Sequence, residues 1–194
     1  MPWWAILIII VAVILVIIWL VALYNRLVRL RVEVQQGWAN IDVQLRRRYD
    51  LIPNLVETVK GYAEHERGVF QAVTEARTAA MDARGPAEAG QANNMLARAL
   101  GGLFAVAENY PDLKASSNFL QLQTELANVE EMLAAARRYY NSTVAQYNAT
   151  QHTVPSNVVA KFGSFSDAEF FEEDERSEEH TSELQSRLHL VCRL

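Results

Sequence analysis

The amino-terminal stretch of the chain is apolar on every side. Residues 2–24 are 23 consecutive positions without a charged side chain. A helix at a protein surface has an apolar stripe about 100° wide, so a helix that is apolar all round must be buried in protein or lipid. At about 1.5 Å per residue the stretch spans roughly 35 Å, enough to cross a hydrocarbon core of about 30 Å. The pattern predicts a single transmembrane helix in residues 1–24.

The ends of this stretch favour an uncleaved anchor. Its boundaries carry the aromatic side chains Trp3, Trp4, Trp19 and Tyr24. Such rings prefer membrane interfaces. A cleaved signal peptide is the alternative, but it needs a basic start and an apolar core of only about 7 to 15 residues.

Basic residues after the anchor predict its orientation. Arg26, Arg29 and Arg31 follow the stretch directly. Basic residues close to a span favour the cytoplasmic side. We therefore expect a protein of the inner (cytoplasmic) membrane whose carboxy-terminal domain is cytoplasmic. Export of that domain stays open as an alternative, because only three arginines lie close to the span.

Beyond the anchor, apolar residues recur every three or four positions, which predicts amphipathic helices. The first continues from the anchor to about Arg48. Proline inside a helix removes a backbone hydrogen bond, whereas in a first turn it costs nothing. We therefore predict a break, with Asp50 as the N-cap of a second helix and Pro53 in its first turn. A kinked continuous helix is the alternative.

Glycine and proline delimit the later helices. Gly61 and Gly68 lie inside the predicted second helix, where we expect a closely packed neighbour to explain them. That helix should end near Gly85 and Pro86. A third helix should then run to the Asn-Tyr-Pro-Asp sequence that begins at Asn109.

The fourth helix has the clearest period, with apolar residues at alternating steps of three and four over four heptads. Its seam consists of Phe119, Leu122, Leu126, Val129 and Leu133, continued by Ala136, Tyr140, Thr143 and Tyr147. Such a seam packs within one bundle or between two chains. We predict the former, because the later seam residues suit a dimeric zipper poorly. The fragment 25–175 should therefore be monomeric or weakly associating.

These patterns predict an all-α fold, a single N-terminal transmembrane helix followed by an antiparallel (up-and-down) four-helix bundle. No soluble segment alternates apolar and polar residues at period two for long enough to form a strand. Long helices joined by short turns favour antiparallel neighbours. A short apolar return, expected to cap one end of the bundle, contains Val158, Val159, Phe162, Phe165, Phe170 and Phe171.

Charge and composition exclude several functions. The net charge is -5 and acidic residues cluster late, which argues against nucleic acid as a partner. The single cysteine, Cys192, supports neither a disulfide framework nor a cysteine-based zinc site. His65 lacks a second histidine four residues later, and Glu57, Glu130 and Glu131 lack the Glu-x-x-His element of di-metal bundles. We expect no catalytic, metal or cofactor site.

Two polar groups remain. The first, here called the polar aromatic group, consists of Tyr49, Tyr139, Tyr140, Asn141 and Tyr147. It serves either as structural bracing or as a groove for a ligand or partner. The second is the run Arg46 to Arg48, roughly 30 Å beyond Arg26 along the helix, which reaches anionic lipid only if the bundle lies flat.

Several motifs appear in a fixed order. The chain has GWANIDVQLRRRYDLIPNLVETVKGY at 37–62, YPDL at 110–113, NFLQLQTEL at 118–126, RRYYNSTVAQYN at 137–148 and PSN at 155–157. With the anchor in front, this order resembles the LemA family of membrane proteins over nearly all of residues 1–173. The resemblance implies a four-helix bundle on one anchor, without established enzymatic activity. It also implies an association with membrane metalloproteases and envelope-stress proteins, and with membrane remodelling in relatives from magnetosome-forming bacteria. The family usually has an aromatic residue where this chain has Val154.

From Arg176 the chain changes character. Residues 176–194 resemble translated sequencing adaptor at the ends of unrelated sequences, and we interpret them as an unstructured, non-native tail. A genuine flexible tail is the alternative. The predicted domains are thus an anchor in 1–24, a helical bundle in 25–175 and a tail in 176–194.

The leading functional hypothesis is a membrane-anchored helical scaffold or interaction protein of the bacterial envelope, without catalysis. Its expected partners are the lipid bilayer and other membrane or envelope proteins, including a membrane metalloprotease system. The alternatives are a membrane-remodelling protein that acts on anionic lipid and, less favoured, a metal-dependent hydrolase.

Overall fold

The computed structural model describes residues 3–172, and every regular element among them is a helix. In chain order the helices are α1 (Trp3–Lys60), α2 (Arg67–Asp82), α3 (Gly85–Glu108), α4 (Pro111–Lys114), α5 (Ser117–His152) and α6 (Ser156–Phe162). The prediction of an all-helical chain with a long apolar amino-terminal helix is confirmed for these residues. The predicted tail, 176–194, lies outside them.

The predicted break before Pro53 is wrong, because α1 continues through this residue to Lys60. Pro53 has no N–H to donate to the carbonyl of Tyr49, four residues earlier. That carbonyl instead accepts a hydrogen bond of 2.7 Å from Nε of Arg77 on α2. A donor from another helix thus replaces the N–H that proline lacks, and this allows α1 to continue through Pro53 as one helix.

The predicted second helix is interrupted. Residues 61–66 form a turn between α1 and α2, in which the N–H of Gly61 donates to Glu57 and that of Ala63 to Val59. The expected close neighbour of the two glycines is also absent. A Cβ at Gly68 would meet nothing within 4 Å, and one at Gly61 would meet only carbonyl oxygens of its own preceding turn.

The boundaries around α3 and α4 follow the glycine and proline signals. Gly85 has φ of 78°, a left-handed conformation that glycine adopts without steric cost, and Pro86 stands in the first turn of α3. Pro111 likewise begins the single turn of α4. The predicted ends of the third helix are therefore confirmed.

The predicted seam of α5 is largely buried within the chain. Phe119, Leu126, Val129 and Leu133 are each at most 8% exposed. Leu122 and Ala136 are only half-buried. Val144, which is fully buried, lies outside the predicted seam because the alternating steps assign that turn to its neighbour Thr143, itself 6% exposed.

The described residues form two compact units. Unit 1 contains residues 3–38 and 139–169, and unit 2 contains residues 39–138 and 170–172. Helices α1 and α5 contribute to both units. Helix α6 belongs to unit 1, whereas α2, α3 and α4 belong to unit 2, where α2 packs against α3 and α3 against α4.

Candidate functional site

The first part of α1 is a helix whose apolar side chains are uncovered. Within the described residues it is the one helix long and apolar enough to cross a membrane, and none of its most apolar window is buried. Ile8 is 61% exposed and Leu15 also 61%, although both are large hydrophobic residues. Trp3, Trp4, Trp19 and Tyr24 are likewise exposed. Nothing in the described chain shields this surface from solvent.

The arginines that follow the apolar stretch are at the surface. Arg26, Arg29 and Arg31 are all exposed on α1 in unit 1. Leu27 and Leu30, which alternate with them, are buried. The helix therefore presents its charged side to solvent immediately after its apolar stretch, as the amphipathic pattern predicts.

Unit 1 pairs α1 with α5 in antiparallel directions. Near one end, the rings of Trp38 and Tyr140 lie 5.9 Å apart, and a Cβ at Gly37 would come within 3.3 Å of Tyr140. One to two turns along, Arg31 lies near enough to Tyr147 to act electrostatically on its hydroxyl. Later residues of α5 thus lie beside earlier residues of α1, so the two helices are antiparallel. The carboxy-terminal end of α5 therefore runs toward the apolar stretch of α1.

An extended segment, residues 163–169, returns along α5 and is held by polar side chains. Asn148 makes two hydrogen bonds of 2.9 Å with the backbone of Ala168, one as donor and one as acceptor. Tyr140 Oη donates to the carbonyl of Glu169 at 2.7 Å, and Gln151 Nε2 to that of Ser166 at 3.3 Å. We call this arrangement the return clasp.

The return clasp corrects the predicted role of the apolar return. The predicted apolar return, 158–171, does not simply cover one end of the helices, because its residues 166–169 run back along α5 and only some of its apolar residues are buried. Phe171 is 1% exposed, but Val158 is 51% and Phe162 89% exposed. Sequence reasoning missed the clasp because the partners of its side chains are backbone carbonyls and one backbone N–H, and these leave no signature in the sequence.

Beside the clasp lies an open cavity of about 390 Å³, lined by Gln151, His152, Asn157, Ala160, Lys161, Phe165 and Asp167. Within it, Nε2 of His152 lies 3.0 Å from a carboxylate oxygen of Asp167. Both side chains are more than half exposed. An exposed contact of this kind contributes little, and the described residues that line the cavity include no assembled nucleophile and base.

Unit 2 contains a buried polar cluster around Arg48. Its guanidinium Nη1 donates to Oδ1 of the fully buried Asn93 on α3. Its Nε lies 2.7 Å from Oε1 of Glu130 on α5, an ion pair in which the N–H bond is not aimed at the oxygen. Arg48 thus joins three helices of unit 2. It is 4% exposed and so does not serve as the lipid-facing cation that its place in the Arg46–Arg48 run implied.

The polar aromatic group is divided between the two units. Tyr49 lies in unit 2, where its buried hydroxyl has no hydrogen-bond partner among the described residues. Tyr140 and Tyr147 are buried in unit 1, and Asn141 is half-buried there. Tyr139 is 51% exposed. The period of α5 separates Tyr139 from Tyr140, because neighbouring positions on a helix point about 100° apart.

Burial alters the titration of these tyrosines. It raises the pKa of Tyr49 to about 12, opposed by the positive charge of Arg48. It also raises the pKa of Tyr140 to about 12, assisted by the negative charge of Glu169. The pKa of Tyr147 is raised by burial as well. The raised pKa values keep all three hydroxyls protonated near neutral pH, so none of them serves as a nucleophile.

The carboxylates and histidines considered in the sequence do not converge. Among residues 3–172 no group of three or more His, Cys, Asp or Glu could hold a metal ion. His65 is exposed in the turn after α1, Glu57 is exposed on α1, and Glu130 is paired with Arg48.

Comparison with known proteins gives a consistent set of relatives. The model of the LemA family matches residues 37–185. Magnetosome protein MamQ 2 of Paramagnetospirillum magneticum is 27% identical over 176 residues, covering 77% of this chain and 65% of that protein. Protein LemA of Metamycoplasma hominis is 29% identical over 168 residues, covering 84% of this chain and 75% of that protein. The chain thus spans just under two thirds of the length of the first of these relatives.

Proposed function

The chain belongs to the LemA family, and on that premise we propose that it is a membrane-anchored helical scaffold or interaction protein of the bacterial envelope. The observation that carries the proposal is the uncovered apolar surface at the start of α1, since burying such a surface in lipid removes it from water. Helical units joined to this anchor present large folded surfaces beside the membrane. Their proposed role is to bind other membrane or envelope proteins, without catalysing a reaction.

The proposal includes an antiparallel four-helix bundle made of the soluble part of α1, α2, α3 and α5. Contacts within unit 2 support it: Arg48 on α1 reaches α3 and α5, and Tyr49 on α1 accepts from Arg77 on α2. The rings of Phe104 on α3 and Phe119 on α5 lie 6.4 Å apart. The contacts of Arg48 and Tyr49 thus join α1 to each of the other three helices, and the phenylalanine pair joins α3 to α5.

The proposed location is the inner membrane, with the helical units in the cytoplasm. The three exposed arginines directly after the apolar stretch support this orientation. Proposed partners are other membrane or envelope proteins, including a membrane metalloprotease system. The surface of unit 2 offers separate apolar residues for such contacts, among them Met95 at 55% and Met132 at 52% exposure.

Site-specific photocrosslinking in the native membrane tests the scaffold role. A photoreactive residue replaces the exposed Met132 on α5, and its neighbour Leu133, 1% exposed, provides the matched control because it faces the interior of the unit. We expect a discrete protein adduct from position 132 and none from 133. Lack of adducts at Met132 and at the other exposed sites of both units, or turnover abolished by one point substitution in the purified chain, overturns the scaffold role.

A second function, remodelling of membranes through anionic lipid, is favoured by the exposure of Arg26, Arg29 and Arg31 next to the apolar stretch. Each such charge near an anionic surface contributes about 1 kcal/mol, and the attraction fades over a Debye length of about 8 Å at physiological salt. Vesicles that deform with the wild-type chain at low salt, and do not with Arg26, Arg29 and Arg31 changed to Gln, support this function. Equal deformation by both chains contradicts it.

A further inference from the structure

Helix α6 has its apolar face on the outside. Ser156 and Ala160, four residues apart, are buried at 7% and 5% exposure. On the opposite side, Val158 is 51% and Phe162 is 89% exposed, and Val154, just before the helix, is 75% exposed. A helix that packs on a protein and faces water shows the reverse distribution. Something other than water is therefore expected to cover this face.

The contacts of unit 1 place this face at the end of the apolar stretch of α1. The rings of Tyr24 and Phe165 lie 5.7 Å apart. A Cβ at Gly163 would come within 3.3 Å of the Tyr24 ring. Tyr24 lies at the end of the apolar stretch, two residues before the first charged side chain, Arg26. Phe162 immediately precedes Gly163, so α6 lies at the level where α1 leaves the bilayer.

The antiparallel pairing of α1 and α5 independently places the start of α6 beside the end of the apolar stretch of α1. His152 at the end of α5 is 12 residues beyond Tyr140, and Asn25 is 12 residues before Gly37, which packs on Tyr140. At about 1.5 Å per residue, both distances are roughly 18 Å along the paired helices. The connection from α5 to α6 therefore lies beside the first residues after Tyr24.

We propose that α6 is a second membrane contact, in which Val154, Val158 and Phe162 insert into the interfacial layer of the bilayer beside the α1 anchor. An interfacial helix buries its apolar face between headgroups and acyl chains and keeps polar residues toward water. Lys161, exposed next to Phe162, suits the headgroup layer. The inference rests on the proposed anchoring by α1, and it adds a wedge that fixes how unit 1 stands on the membrane.

Depth-dependent quenching in vesicles tests this contact with the full chain. In a Cys192→Ser background, single cysteines are introduced by Phe162→Cys or Val158→Cys and labelled with an environment-sensitive fluorophore. Two further labelled variants provide references: Val16→Cys in the apolar stretch and Ser142→Cys, exposed on α5 about 15 Å from its end. The vesicles contain phosphatidylcholine and phosphatidylglycerol, and each variant is measured with a spin label high on the acyl chain, for positions 158 and 162, and with one near the end of the acyl chain, for position 16.

We expect labels at positions 158 and 162 to be quenched several-fold more than the label at 142, at both low and physiological salt. Salt should matter little because the contact is apolar. If position 16 is quenched but 158 and 162 are not, the wedge is wrong and the anchor stands. If position 16 is not quenched, the anchor itself fails. A blue-shifted but unquenched label at 162 means that a second copy covers α6, which also overturns the proposal.

Discussion

Arg48 is a charged residue in the interior of unit 2, and its removal is predicted to be costly. The change Arg48→Met leaves Glu130 and Asn93 without the guanidinium that pairs them. Breaking a buried pair in this way costs roughly 3–5 kcal/mol. Urea unfolding followed by circular dichroism measures the loss.

The matched control for Arg48 is Arg46→Met. Arg46 lies 3.0 Å from Asp42 in an ion pair one turn apart, and its side chain is 74% exposed. Exposed pairs of this type contribute about 0.3–0.5 kcal/mol. Equal losses for the two variants would show that the polar cluster of unit 2 adds no more than a surface pair.

The buried tyrosines predict a loss of stability in alkali. Burial raises the pKa of Tyr49 and Tyr140 from 10.0 to about 12, so the folded chain keeps protons that the unfolded chain loses. The resulting stabilisation is complete below pH 10 and disappears as the pH rises toward 12. Each tyrosine contributes a slope of roughly 1.4 kcal/mol per pH unit in this window.

Unfolding free energies measured in steps between about pH 9 and about pH 11.5 check this slope. The double variant Tyr49→Phe with Tyr140→Phe should lose stability less steeply, whereas the variant of the exposed Tyr139, Tyr139→Phe, should keep the wild-type slope. A double variant as steep as the wild type would mean that other groups cause the alkaline loss.

Helix α1 depends on Arg77 at the position where proline interrupts its hydrogen bonds. In the wild type, Arg77→Leu leaves the carbonyl of Tyr49 without a donor, which costs about 1–3 kcal/mol. In a Pro53→Ala background the restored N–H supplies that donor, so the same Arg77 change should cost less. The difference, measured as a double-mutant cycle in urea, is expected to be about 1 kcal/mol or more.

The control for this cycle is Gln71→Leu, on α2 like Arg77. Gln71 is exposed and bonds only to Glu75, one turn away. Its cost should be small and the same in both backgrounds. A cycle for Arg77 that also shows no coupling would mean that the helix tolerates Pro53 without help from α2.

Helix α3 has two glycines with opposite surroundings. A Cβ at Gly90 would clash with the carbonyl oxygen of Glu172, whereas one at Gly101 would meet nothing within 4 Å. Gly101→Ala should therefore stabilise the protein by about 1 kcal/mol through helix propensity alone. Gly90→Ala should not show this stabilisation, because its Cβ must displace residues 170–172.

Limited proteolysis with urea unfolding separates the two glycine variants. We expect cleavage near residues 163–172 to accelerate several-fold in Gly90→Ala and to stay unchanged in Gly101→Ala. Equal stabilisation by both substitutions, with no change in cleavage, would show that the segment does not pack on α3 at Gly90.

A substitution in the seam of α5 tests whether the seam packs within one chain or between chains. Leu126 is 5% exposed, and the change Leu126→Asp places an unpaired charge in the interior, which should unfold the fragment 25–175. Leu120→Asp is the control, because Leu120 is 46% exposed on the same helix. Circular dichroism reports the fold, and light scattering reports the mass.

The outcome for Leu126 also tests self-association. We expect a monomeric or weakly associating wild-type fragment. A Leu126→Asp fragment that remains helical and folds cooperatively, while a wild-type oligomer dissociates, would show that the seam is an interface between chains.

The sequence by itself determined the helical nature of the chain and the position of its apolar stretch. These features depend on periodicity and on the backbone limits of glycine and proline, which act within a few residues. The turn at Gly85 and Pro86 and both ends of α3 are correct for this reason. The burial of most of the α5 seam follows from the same local regularity.

Only the tertiary structure decided how the polar groups are used. Helix α1 passes through Pro53 because Arg77, 28 residues away from Tyr49, supplies the missing donor. Arg48 is buried because Asn93 and Glu130 reach it from two other helices, and no short motif encodes that meeting. The return clasp depends on hydrogen bonds to backbone carbonyls and to the N–H of Ala168, groups that carry no sequence signal. A hydrogen bond between distant segments is set by where the chain places its atoms in space, and the order of side chains alone does not contain that information.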